Sequence, residues 1–221
     1  MIVTIHQPNF APWTGFFDKM TKADVFVLLD TVPFTKGGFQ NRVRIKGTGG
    51  PQWLTVPVHT KGRLGQLTSQ VETNELKPWR SDHLKTLQTL YGRCQGYETA
   101  AAMLEAVYAP GTTNLADLCT DLITRLRDHY QIPARLVRSS ELEAAGSASE
   151  LLASITGELG GDVYLSGPSG RNYLDESVFT DRGIALDYHA YQPVPYPQPH
   201  GDFAGGLSML DHLASGAGPW W

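Results

Sequence analysis

Cysteine is scarce in this chain: its 221 residues include two, Cys94 and Cys119, both in stretches that read as helices. Two cysteines make neither a disulfide framework nor a zinc knuckle, and no histidine pair is spaced i, i+4 for a metalloprotease-type site. His189 and His200, near Asp187 and Asp202, have no spacing that demands an ion, so no metal is expected. No Gly-x-Ser-x-Gly elbow, Walker A loop or dinucleotide-binding glycine pattern occurs, which leaves the common hydrolase and nucleotide signatures unmatched. No apolar run approaches membrane-spanning length, and the first residues lack the basic and apolar regions of a secretory signal; a cytoplasmic protein is the default expectation. Acidic residues are missing altogether between Asp30 and Glu72.

That last absence leaves a strong local field. Lys36, Arg42, Arg44, Lys46, Lys61 and Arg63 fall in the acid-free stretch with His59, although the whole chain carries a net charge of -4. A local excess of cations favours an anionic partner: phosphate, carboxylate or nucleic acid. Arg42, Arg44 and Lys46 alternate with Val43 and Ile45, so in a strand they share one face. The hydrophobic fraction of 41% and the 22 Trp, Tyr and Phe residues argue for a packed globular chain rather than disorder.

Apolar β-type segments at 2–5, 24–29, 42–45, 53–58, 135–138, 162–165 and 184–190 alternate with helical patterns at 14–22, 79–91, 97–108, 113–131, 147–159 and 174–181. The alternation predicts a single α/β domain with a mainly parallel central sheet and flanking helices, of the nucleotide-binding kind. The glycine-rich segment 31–71 interrupts it, as a small β insertion or an antiparallel edge on that sheet. Asn114 is placed to cap the helix that follows it, and Gly160-Gly161 to end the helix before them. The segment 191–221, rich in Pro and Gly but carrying Tyr191, Tyr196 and Phe203, reads as an ordered flap closed by an amphipathic piece at 207–213. Aromatic residues exposed there would suit a homodimer.

In parallel sheets, ligands gather at the carboxyl ends of the strands. Strand 2–5 runs into His6, Gln7 and Asn9; strand 24–29 ends on Asp30; strand 53–58 runs into His59 and Lys61. Strand 135–138 leads to Ser139 and Ser140, and strand 162–165 to Ser166, Gly167, Ser169, Gly170 and Arg171. The last loop offers backbone N–H groups, two hydroxyls and a guanidinium suited to phosphate or carboxylate. His6, Asn9 and Asp30 are the catalytic candidates, His6 as acid/base or charge stabiliser. Gln7, Gln40, Asn41, Arg42, Arg44 and the Ser139–Ser140 and 166–171 loops are the binding candidates. Pro8 and Asn9 depart from the His-x-Gly-His motif that nucleotidyl transferases carry at this place.

Ile5-His6-Gln7-Pro8-Asn9-Phe10 with Pro12-Trp13 and Gly15-Phe16-Phe17, then Phe39-Gln40-Asn41-Arg42 and Trp53-Leu54-Thr55-Val56-Pro57-Val58, resemble the WbqC-like proteins. Arg138-Ser139-Ser140-Glu141-Leu142, Tyr164-Leu165-Ser166-Gly167-Pro168-Ser169-Gly170 and Leu207-Ser208-Met209-Leu210-Asp211 continue the likeness in order along the chain. The resemblance implies a role in bacterial polysaccharide or natural-product assembly. Combined with the site residues, it leads to transfer of an acyl, aminoacyl or related group using a phosphate-bearing substrate, a nucleotide or nucleotide-sugar. The alternatives are a non-catalytic nucleotide-sugar-binding accessory protein and an RNA-binding protein that contacts aminoacyl-tRNA. A nucleotide is the one cofactor left open.

Overall fold

A computed structural model describes residues 1–220. Five parallel strands form the central sheet: β1 (Ile2–His6), β2 (Val25–Leu28), β5 (Arg135–Arg138), β6 (Val163–Ser166) and β7 (Ala185–Tyr188), in the order β5-β2-β1-β6-β7. The chain builds outward from β1 on one side, then returns to add β6 and β7 on the other. The strand order reverses between β1 and β6, where parallel sheets open a crevice for ligands.

Alternation along the strands decides what each face packs against. Val3 and Ile5 of β1, with Val25 and Val27 of β2, join Leu152, Ile155 and Phe179 in a core beneath α5 (Ala148–Glu158) and α6 (Glu176–Thr180). Phe26 and Leu28, one residue out of phase, enter a larger core with Phe16, Phe17 and Met20 of α1 (Thr14–Thr21). Both faces of β2 are covered, so all four of its residues are buried, as expected for a central strand of a two-sided sheet.

The path from β2 to β5 carries most of the larger core. It holds the hairpin β3 (Arg42–Gly47) and β4 (Gly50–Thr55), then α2 (Trp79–Tyr91), α3 (Tyr97–Tyr108) and α4 (Leu115–His129). The hairpin is a separate two-stranded antiparallel sheet, so the segment at 53–58 does not feed the edge of the main sheet. A tight turn with Gly50 at φ 111° returns β4 directly onto β3, and local antiparallel closure wins over a distant parallel partner. His59 and Lys61 therefore follow no strand of the parallel sheet.

Asn114 does cap α4, its side chain accepting from the Asp117 N–H at 3.1 Å. Gly160, at φ 74°, takes the left-handed turn after α5. Cys94 lies in the turn between α2 and α3 rather than inside a helix, and both cysteines are free. The amphipathic piece expected at 207–213 is buried all round: α7 (Met209–Ala214) has no solvent face, because the hairpin and α3 enclose it. The tail before it is docked, with the Tyr191 hydroxyl on Thr14 Oγ1 at 2.9 Å and Tyr196 packed edge-on against His212. Both tyrosines are half-buried against the protein's own body. Trp221 lies outside the described residues. No helix among them is long and apolar enough to cross a membrane.

Candidate functional site

His6 ends β1 at the reversal of strand order. Its Nδ1 lies 3.0 Å from the Gln7 carbonyl oxygen; since that oxygen can only accept, Nδ1 carries the proton and Nε2 presents a lone pair. Phe16 meets the ring edge-on at 4.9 Å. Burial, helped by the charge of Lys19 and opposed by the bond to Gln7, lowers the His6 pKa to about 4. At neutral pH the ring is uncharged, with Nε2 open as an acceptor.

Lys19 is an unexpected neighbour. It is 4% exposed and donates from Nζ to the Ile5 carbonyl at 3.0 Å, on the β1 residue just before His6. Burial brings its pKa down to about 7. Between pH 7 and 10.5 the unfolded chain therefore binds a proton that the folded chain does not, and stability rises with pH over that window. The slope expected from this one group is at most about 1.4 kcal/mol per pH unit. Urea denaturation at pH 7, 8.5 and 10 should show the rise in the natural chain and its loss in Lys19→Met; an unchanged slope in the variant would assign the effect elsewhere.

Two cavities flank His6. The first, about 350 Å³, is lined by His6, Asn9, Phe10, Pro12, Trp13, Phe39, Val43, Arg44 and Gly206. The second, about 360 Å³, lies towards α5 and is lined by Ile5, His6, Gln7, Leu29, Val32, Ala148, Leu151, Leu152, Tyr164 and Tyr173. His6 is the one residue common to both linings. The fold thus brings His6, Asn9 and Arg44 together around one cavity and Gln7 beside the other.

Arg44 reaches its cavity from β3, held in register opposite Trp53. Its side chain forms no ion pair among the described residues, and its buried Nε has no hydrogen-bond partner. Three other cations of the stretch are otherwise engaged, while Lys36 and Lys61 are exposed. Arg42 donates to the Gly37 carbonyl and lies 4.2 Å from the Trp53 ring. Lys46 is buried and donates to the Asp202 carbonyl, and Arg63 pairs with Glu72 at 2.8 Å.

The other sequence candidates shape loops. Gln40 is 1% exposed, accepting from Thr35 N and donating to Thr68 Oγ1; Asn41 donates to the Val56 carbonyl at 2.8 Å. Asp30 accepts from Ser139 Oγ and Ser140 N on one oxygen, and from Arg138 Nε, Arg138 Nη2 and Ser140 Oγ on the other. Burial alone would push its pKa up, but the bonds from Ser140, Arg138 and Ser139 and the Arg138 charge hold it below the ordinary range. Five donors leave no free lone pair, and Asp30 lines neither cavity.

Ser166 is buried and donates to the Gly167 carbonyl at 3.1 Å, while a side chain at Gly170 would collide with its hydroxyl. Ser169 is exposed, and Arg171 stacks on Tyr188 at 3.8 Å. This loop borders neither cavity either. His189 Nε2 pairs with Asp18 at 2.7 Å and His200 Nε2 meets the Leu90 carbonyl; no cluster among the described residues has three metal-binding side chains.

Comparison with known proteins adds kinship. Residues 7–217 match the model of the WbqC-like protein family. The uncharacterized protein Rv1507c of Mycobacterium tuberculosis is 34% identical over 215 residues, covering 96% of this chain and 92% of that one. No solved structure matches.

Proposed function

The chain belongs to the WbqC-like protein family, and on that premise we propose that it transfers an acyl, aminoacyl or related group between two ligands that meet at His6. The observation that carries this reading is the shared lining: one neutral imidazole stands between two cavities of ligand size. The cavity beside Arg44 takes one substrate. The cavity at the sheet reversal takes the other, phosphate-bearing, a nucleotide or nucleotide-sugar, in polysaccharide or natural-product assembly. Supporting the second assignment, Ala148 opens α5 at that cavity, and its N-cap, Ser147, makes no side-chain cap. Free N–H groups at a helix start favour an anion.

In this reaction the acceptor's hydroxyl or amine attacks the carbonyl of the donor, and its proton passes to His6 Nε2. The imidazolium then returns the proton to the departing oxygen. Asn9 donates to the oxygen on which negative charge develops. Asp30 acts at one remove, fixing the loop after β2.

Nucleotides, nucleotide-sugars and small carboxylates, screened singly and in pairs by thermal shift, should reveal a pair whose effects add. Product from that pair is read by mass spectrometry. His6→Gln is expected to slow turnover about 10²–10⁴-fold while both ligands still raise the melting temperature. Undiminished turnover in that variant removes His6 from the chemistry; binding with no product under any pair favours the accessory-protein reading.

The exposed Phe39 and Trp53, with Arg42 stacked on the latter, favour one further reading, stacking of an aminoacyl-tRNA end. It requires affinity that falls steeply with salt.

A further inference from the structure

We propose that the cavity beside Arg44 is a subsite for a single carboxylate carried on an aromatic or alicyclic body of about a dozen non-hydrogen atoms, without a free amine. The inference rests on the two-ligand reading above and names the ligand of one of its cavities.

Charge sets the head group. Arg44 is the one cationic side chain in the lining at neutral pH, since His6 is uncharged. Arg42, Lys46 and Lys19 are each committed to a backbone carbonyl. One planar guanidinium without an acidic partner matches one carboxylate through two parallel bonds. No acidic side chain lines the cavity, so an ammonium group would enter without a counter-charge.

Asn9 supplies the second polar contact. It is 7% exposed, lines the cavity and makes no side-chain hydrogen bond among the described residues. Its amide opens onto the cavity rather than being sealed from it, so it is placed to donate to a ligand oxygen beside Arg44.

The walls set the body. Phe10, Trp13, Phe39 and Val43 surround the polar pair. Trp13 folds its indole over the first turn of α1: a Cβ on Gly15 would lie 2.3 Å from the ring, so only glycine leaves space for it. Tyr191 holds the same indole edge-on at 5.4 Å. Two sequence-distant elements thus fix one aromatic wall, as a rigid ring-binding site requires. A cavity of about 350 Å³ is at the small end of ligand pockets and suits a compact ring with its acid arm.

Isothermal titration of the full chain tests this with phenylacetate, phenylacetamide, phenyl phosphate and phenylalanine. Phenylacetate is expected to bind at least about tenfold more tightly than the other three, the amide lacking only the charge. Arg44→Met should remove that preference by weakening phenylacetate about tenfold or more while leaving phenylacetamide unchanged, and Arg44→Lys should fall between. Circular dichroism and melting temperature establish that both variants fold, and the lysine variant serves if methionine disturbs the hairpin. Tighter binding of phenyl phosphate or of phenylalanine overturns the proposal. So does phenylacetate affinity indifferent to Arg44, or no measurable binding of phenylacetate. Turnover plays no part in these readouts: carboxylate binding without any product would overturn the transfer reading alone, and product formation without carboxylate preference would overturn the subsite alone.

Discussion

Asp211→Asn is expected to lower the unfolding free energy by about 1–3 kcal/mol, one obligate buried donor losing its acceptor. Asp211 is fully buried and surrounded by donors alone. One oxygen accepts from the Lys46 backbone N–H at 2.8 Å and from the Tyr91 hydroxyl; the other accepts from the Tyr196 hydroxyl at 2.5 Å and Gln198 Nε2 at 3.3 Å. No cationic side chain pairs with it among the described residues. Burial, reinforced by the carboxylate's charge and hydrogen bonds, drives the Tyr91 and Tyr196 hydroxyls far above their ordinary range, so both stay protonated and donate. Asparagine keeps the volume, but its amide nitrogen must face one of these donor pairs. The four partners come from the hairpin, α2 and the tail, so the same change should free the tail from the body. Urea denaturation measures the loss, and limited proteolysis should cut the 191–208 region first. A variant as stable and protease-resistant as the natural chain would show that the network contributes little.

Asp30→Asn is the second large effect, about 3 kcal/mol, at the lower end of what breaking a buried ion pair costs because Arg138 is 23% exposed. The change removes the charge that Arg138, Ser139 and Ser140 enclose and leaves Arg138 with Asp117 alone. The sign with pH follows from the lowered carboxyl pKa. Above the unfolded pKa the contribution is complete, and it is lost as pH falls through the folded pKa. The gap between natural chain and variant, measured by urea denaturation, should be full at pH 7 and narrow progressively below pH 4. A gap constant down to pH 2 would contradict the ion-pair origin. The loop after β2 ends against this cluster, so ligand binding at the neighbouring cavity should weaken in the variant even at temperatures where it remains folded.

The parallel sheet was legible because its central strands are buried on both faces. Continuous apolar runs such as Val25-Phe26-Val27-Leu28, separated by helix-length patterns, have few other arrangements. The hairpin was legible as a β insertion within 31–71, but whether it stood apart or edged the main sheet was not. Val43 and Ile45 look alike whether their strand pairs locally or with a distant neighbour, and the turn geometry at Gly50 decides. Helix α7 misled differently: Asp211 and His212 gave it a polar face on paper, whereas their partners, Tyr91, Tyr196 and Tyr130, are supplied by α2, the tail and the end of α4.

Site residues divide in the same way. His6, Asn9 and Arg44 were identified by residue type and by position at strand ends or on a strand face, and the fold gathers them. Asp30, Ser139 and Ser140 were identified by the same rule, yet they satisfy one another; a carboxylate's free lone pairs cannot be counted before its neighbours are known. Lys19 left no signal, since a lysine in a short helix reads as solvent-facing until the helix is packed. Trp13 and Gly15 stood in the opening motif without a role until their contact emerged.

By itself the sequence determined the alternation of strands and helices and the place of a histidine at the end of the first strand. These follow from local periodicity and strand polarity, which are properties of the chain alone. Tertiary structure decided which cations are neutralised, which carboxylates are enclosed, and that one imidazole borders two cavities. Those outcomes depend on groups far apart in the chain, and charge, burial and hydrogen bonding act through distance in space.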